Sequence, residues 1–98
     1  MAGVFRTSTA ERDLGDIWDD IARDNVDAAD RWLRDFEKQA HRYAESPALG
    51  ARCSEFSAGL RNFTFGQYVG FYVQIANGIQ IIRVLHRARD LPSLFADN

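Results

Sequence analysis

Cysteine is almost missing from this 98-residue chain: Cys53 stands alone, which excludes an internal disulfide and any multi-cysteine metal site. A reducing compartment and an inert thiol follow as expectations. Proline occurs twice, and one of the two, Pro47, marks a helix end. Eighteen successive apolar residues occur nowhere, and Met1–Arg6 has no apolar run of signal length, so the sequence predicts a soluble, cytoplasmic protein without membrane contact. A strong charge of one sign is lacking as well. The net charge is −2, which gives no support to general nucleic-acid binding. With 46% apolar side chains, the chain is expected to fold as one compact domain over residues 1–98.

The small net charge conceals two unlike halves. Residues 1–46 carry seven Lys/Arg against eleven Asp/Glu, a net of −4, and residues 47–98 carry five against three, a net of +2. The acidic half reads as helical. After a short extended start at Val4–Thr7, Ser8-Thr9-Ala10-Glu11 has the form of a capping box, which predicts a helix beginning there. Ala10, Leu14, Ile17, Trp18 and Ile21 recur at helical spacing as its buried face. Asn25 is placed to cap a second helix with the apolar stripe Ala29, Trp32, Leu33, Phe36, Ala40 and Tyr43. Asp27/Arg31 and Asp30/Arg34 stand at supportive four-residue spacing, and Glu45-Ser46-Pro47 stops the helix. Trp18 and Trp32 are expected as core anchors, His41 as solvated. A short connection predicts that the two helices pack as an antiparallel hairpin.

From Arg52 onward the pattern changes to strands. Asn77-Gly78 predicts a two-residue hairpin turn with positive φ angles, between strands at 67–75 and 79–86. Val69, Phe71, Val73 and Ile75 are expected to face the helices, while the second strand is apolar on both sides and alternation does not orient it. Leu60–Phe65 reads as a further strand turning at Gly66, and Ser54-Glu55-Phe56 as a short fourth. Asp90 is placed to cap a final helical turn, with Leu94 and Phe95 returning to the core. The fold class is therefore α+β: an N-terminal strand, a helix hairpin, a three- to four-stranded antiparallel sheet, and a short C-terminal helical turn.

The last strand ends in an unusual knot. Arg83, His86, Arg87 and Arg89 crowd the end of an aliphatic run, where cationic or titratable donors suit a carboxylate or phosphate. Arg61 and Arg83 are the strongest candidates for partner contact, with structural salt bridges as the competing use. His86 has no metal or triad partner in sight and reads as a hydrogen-bonded structural histidine. No metal site and no cofactor are expected. The adjacent Asp19-Asp20 carboxylates point about 100° apart on a helix and have no histidine at four-residue spacing.

Ala10-x-x-Asp13-Leu14-x-x-Ile17, Asn25 with Ala28-Ala29 and Leu33, Ser46-Pro47-x-x-Gly50, Leu60-Arg61, Tyr68-x-x-x-Tyr72 and the closing Arg83-Val84-Leu85-His86-x-Ala88-Arg89-Asp90 follow one another in an order that resembles the ParE branch of the RelE/ParE toxin superfamily. Val26 departs from the proline common there, and Arg87 from the glycine. The resemblance implies a non-enzymatic toxin of a type II toxin–antitoxin pair, which inhibits DNA gyrase by protein contact. It further implies neutralisation by a ParD-like antitoxin whose flexible tail wraps the toxin, and contact with operator DNA only through that antitoxin. Apolar grooves beside the helices and the donors Arg61, Arg83, His86, Arg87 and Arg89 would hold such a tail. The alternative is a RelE-like, ribosome-dependent mRNA endonuclease, in which Arg61, Arg83 and His86 take catalytic roles and Tyr68 or Tyr72 stacks a base. A non-toxic, antitoxin-binding homologue is a third reading.

Overall fold

The computed structural model describes residues 2–88. The order is β1 (Gly3–Arg6), α1 (Ser8–Ala22), α2 (Val26–Glu45), a single 3-10 turn at Pro47–Leu49, β2 (Ala51–Arg52), β3 (Arg61–Phe65), β4 (Tyr68–Ile75) and β5 (Gly78–His86). The fold is α+β, a helix hairpin on a sheet, as the sequence predicts. The sheet has five strands in the order β1-β5-β4-β3-β2, because β1 pairs in parallel with β5 and the remaining neighbours are antiparallel. The fourth short strand lies at Ala51–Arg52, and residues 54–56 form a turn instead. The expected final turn, with Asp90, Leu94 and Phe95, lies outside the described residues.

Local chemistry accounts for the helix ends. Thr7, one residue earlier than the capping box suggests, caps α1: its hydroxyl accepts from the Ala10 N–H at 3.0 Å and donates to the Ile82 carbonyl at 2.9 Å. One side chain thus starts the helix and ties it to β5. Glu11 turns to Arg6, 3.6 Å away, rather than to the cap. Asn25 caps α2 through the Ala28 N–H at 3.0 Å, and Val26 takes the first helical position without the preset angle of proline. Asp27/Arg31 and Asp30/Arg34 do not close as ion pairs among the described residues. Asp30 instead accepts from the Trp18 indole at 3.0 Å.

Both faces of the sheet are apolar, the arrangement that erases clean alternation in a strand. On the helix side, Ala10, Leu14 and Ile17 of α1 and Phe36, Ala40 and Ala44 of α2 pack on Phe63, Tyr72, Ile79, Ile81 and Val84. On the other side Cys53, Leu60, Val69, Phe71 and Leu85 form a second cluster with Phe56, Val73 and Ile82. This reverses the expected facing of β4: the Val69, Phe71 and Val73 set turns away from the helices and lies against residues of the segment between β2 and β3. Tyr72 faces the helices because its hydroxyl has partners at the end of α2. Phe36 and Phe71 are almost fully buried, each contributing about 1.5–3 kcal/mol by leaving water. Trp32 joins the rim of the helix-side core, stacked on Phe36 at 5.5 Å and edge-on to Phe65 and Tyr68. Trp18 does not act as a core anchor. It lines a surface groove of about 340 Å³ with Leu14, Gly15 and Leu33.

The hairpin between β4 and β5 turns through Ala76-Asn77, one residue before the expected Asn77-Gly78, since Ile75 pairs with Gly78. Asn77 does not take a positive φ; Gly78 does, at +145°. A Cβ at Gly78 would strike the Gly3 backbone, so glycine here permits β1 to approach β5.

Candidate functional site

The cationic end of β5 is built around a bulge. Tyr72 pairs with Ile81 and Phe71 with Arg83, leaving Ile82 as the extra residue. A bulge breaks the ladder and re-aims the side chains beside it. Past Ile81 the outer edge of β5 is no longer paired with β1, and α1 takes over. Asp13 accepts from the Val84 backbone N–H at 3.0 Å and from the Arg83 guanidinium twice, Nε to Oδ2 at 2.8 Å and Nη2 to Oδ1 at 3.1 Å. The two side chains are only 13% and 25% exposed, so solvent screens this bidentate pair less than a surface one. Hydrogen bonding to Asp13 lifts the Arg83 pKa above its already high ordinary value, with partial burial opposing. Arg83 thus spends its charge on α1.

Arg61 is engaged differently. Its guanidinium donates to the carbonyls of Gly50 at 2.7 Å and Ala48 at 3.2 Å, which ties the 3-10 turn to the start of β3. Next to it, the buried Tyr72 hydroxyl donates to the Pro47 carbonyl at 2.7 Å and accepts from the Gly50 N–H at 3.0 Å. Burial pushes the Tyr72 phenol up, against the smaller pull of the Gly50 hydrogen bond and the Arg61 charge. A Cβ on Gly50 would run into that hydroxyl. Tyr72 therefore has no free ring face for a nucleobase. Burial likewise pushes the Cys53 thiol up, with Asn62 opposing, which works against a reactive thiolate.

His86 and Arg87 close the β3–β4 turn from below. The His86 Nδ1 accepts from the Ala88 N–H at 3.1 Å, and Nε2 lies 3.1 Å from Gln67 Oε1. Those two contacts fit the neutral tautomer with its proton on Nε2. The ring stands edge-on to Tyr68 at 5.4 Å. Arg87 donates through its backbone to Gln67 at 2.9 Å and through Nη1 to the Gly66 carbonyl at 3.3 Å, and it is exposed. Its φ is not positive, so arginine sits there without strain. Arg89 lies outside the described residues.

These residues do not converge. His86 pairs with Tyr68 and Arg61 with Tyr72, which separates them by roughly 13 Å along β4 at about 3.3 Å per residue. Arg83 is turned to Asp13 between them. Among the described residues no group of three or more His, Cys, Asp or Glu is gathered for a metal ion, and no helix is long and apolar enough to cross a membrane. Two participants were not foreseen from the sequence. Asp13 reads there as one of several acids on a wet helix face, and Gln67 as the first residue of the strand expected at 67–75. Only their tertiary partners, 70 and 19 positions away, reveal their use.

A family model described as the ParE toxin of the type II toxin–antitoxin system parDE matches residues 4–91. The chain is 34% identical over 84 residues to Toxin ParE1 of Mycobacterium tuberculosis, covering 84% of this chain and 86% of that one. It is 34% identical over 80 residues to Toxin ParE1 of Caulobacter vibrioides, covering 81% and 82%. Among solved structures, a chain from the chromosomal ParDE TA system of P. aeruginosa superposes with a TM-score of 0.71 at 21% identity, covering 88% of this chain and 96% of the other. That last likeness establishes the shared fold.

Proposed function

The chain belongs to the ParE toxin family of type II toxin–antitoxin systems, and from that premise we propose that it inhibits DNA gyrase by protein–protein contact and is neutralised by a ParD-like antitoxin. It acts in the cytoplasm, touches operator DNA only through the antitoxin, and catalyses no bond cleavage itself. The observation that carries the non-catalytic part is the commitment of the basic residues: Arg83 to Asp13, Arg61 to two backbone carbonyls, and both nitrogens of His86 to Ala88 and Gln67. A ribonuclease needs a base near a ribose hydroxyl and cations around the same phosphate. Here the three side chains stand apart, and each already has a partner. Among the described residues of that edge, Arg87, exposed and joined through its side chain to one carbonyl, is the cation best placed for a protein partner.

The reading is tested by expressing the chain in a bacterial host, alone and with the antitoxin encoded beside it. Growth arrest that the antitoxin relieves is the expected result. His86→Ala at matched, folded expression is expected to arrest growth within about twofold of the parent, because the ring only packs and bonds locally. Loss of arrest in that variant, together with cleaved messenger RNA in the parent, contradicts the proposal.

A further inference from the structure

The sheet face opposite the helices is covered only in part. The segment between β2 and β3 lays Cys53, Phe56 and Leu60 against Val69, Phe71 and Leu85, and Val73 and Ile82 stand partly exposed at the margin of that cover. The β1 side of the face is more open. Phe5 pairs with Gln80 and Gln80 with Val73, so the three form one row across β1, β5 and β4. Val4, Ile79 and Ile81 belong to the helix-side core, which turns this row to the opposite face. Phe5 is 47% exposed there.

A groove of about 500 Å³ opens at the margin of the cover. Phe56, Val73 and Ile82 supply apolar lining, Thr9, Ser57 and Arg83 supply polar lining, and no carboxylate takes part. Asp13 engages Nε and Nη2 of Arg83. The Nη1 group has no hydrogen-bond partner among the described residues, and the Thr9 and Ser57 hydroxyls have none either. Apolar surface and unspent donors thus share one groove. Its complement is an apolar side chain with a carboxylate beside it.

We propose that this face docks the protein target, with an apolar side chain of the target seated on Phe56, Val73 and Ile82, an acidic neighbour meeting Arg83, Thr9 and Ser57, and Phe5 packing alongside. The target's identity rests on the reading above and is DNA gyrase. A folded surface suits this site better than an extended tail does. The groove is short and walled by side chains from α1, β4, β5 and the segment between β2 and β3, whereas a tail pairs its backbone along a strand edge. A second copy of the chain suits it no better, since a stable dimer buries about 800 Å² on each partner, and one exposed aromatic beside one groove falls short of that.

The test uses the full chain and takes two readouts from each variant: inhibition of supercoiling by gyrase from the same organism, and calorimetric binding to the antitoxin encoded beside it. Thr9→Glu/Ser57→Glu places two carboxylates in the groove. Neither hydroxyl has a bond to lose, and a first helical turn accepts an acid. Phe5→Ser removes the exposed aromatic as a second route, Lys38→Glu on the outer face of α2 is the control, and far-UV circular dichroism verifies the fold. The double variant is expected to need at least about tenfold more toxin for half-inhibition, because like charges now face each other, and Phe5→Ser about threefold more. Antitoxin affinity is expected to stay within about twofold in both, and Lys38→Glu to match the parent in both readouts. A parent that inhibits gyrase and groove variants that inhibit it equally overturn this proposal alone. Equal loss of inhibition and antitoxin binding in the folded double variant assigns the face to the antitoxin and overturns the proposal as well. A parent that sediments as a dimer, split by the double variant, makes the face a contact between copies, with the same consequence. A parent that leaves gyrase uninhibited overturns the gyrase reading and this proposal with it.

Discussion

Replacing Asp13 with alanine is expected to cost about 2–3 kcal/mol of folding stability, because one carboxylate serves the Arg83 guanidinium twice and the Val84 N–H once, and hydrogen bonds to charged groups contribute about 1.5–3 kcal/mol. The substitution leaves a half-buried guanidinium and a backbone donor on the edge of β5 without their acceptor. Residual exposure of Arg83 lets water recover part of the loss, which keeps the expectation below the cost of breaking a fully buried pair. Urea denaturation measures it directly. Asp13→Asn should recover part of the loss, since an amide oxygen still accepts from Val84 but carries no charge for Arg83. A midpoint unchanged in Asp13→Ala would mean that α1 is held to β5 by its apolar face alone.

Gly78→Ala is expected to be at least as damaging, at about 3 kcal/mol. The added methyl meets the Gly3 backbone, and an L-residue is forced to a φ of +145°; strained backbone and overpacking each cost about 1–3 kcal/mol. The chain has one economical escape, which is to let β1 move off β5. Hydrogen exchange therefore locates the effect: faster exchange at the β1–β5 ladder with β4 still protected is the expected pattern, alongside a drop in melting temperature of about 12–24 °C at 4–8 °C per kcal/mol. A melting temperature within a few degrees of the parent would show that the β1 contact is loose enough to absorb a methyl group.

These two positions also mark where the sequence was legible and where it was not. Local chemistry announced the helices: Asn25 caps α2 as its side chain suggests, and the helix stops before Pro47. The hairpin between β4 and β5 was visible from its turn residues, though one position off, because Gly78 serves the close approach of β1 rather than the turn itself. The facing of β4 was misread because both sides of the sheet are apolar, so a period of two carries no direction. The short fourth strand was misplaced by a few residues, since a two-residue strand has no periodicity to read. Trp18 lies on the apolar stripe of α1 and still stays at the surface, where Asp30 bonds its indole nitrogen.

The site was legible in its residues and not in their roles. Two of the strings that carried the family resemblance, Ala10-x-x-Asp13-Leu14 and Arg83-Val84-Leu85, prove to be the two sides of one contact. Ala10 and Leu14 enter the core while Asp13 meets Arg83 and Val84. No local rule links positions 70 residues apart. Arg83 as a free donor and Arg83 as a structural tie have the same sequence. The charge balance of α2 was equally hidden: the four-residue spacing suggested an Asp30/Arg34 pair, yet Asp30 accepts from Trp18 instead, and Glu37 turns to Arg6.

The most direct test of the functional account is supercoiling of relaxed plasmid by gyrase from the same organism, titrated with purified chain and then with the antitoxin encoded beside it. The account predicts dose-dependent loss of supercoiling that the antitoxin restores, and no effect of His86→Ala on either step. A chain that arrests growth in cells yet leaves gyrase untouched at every dose would contradict it.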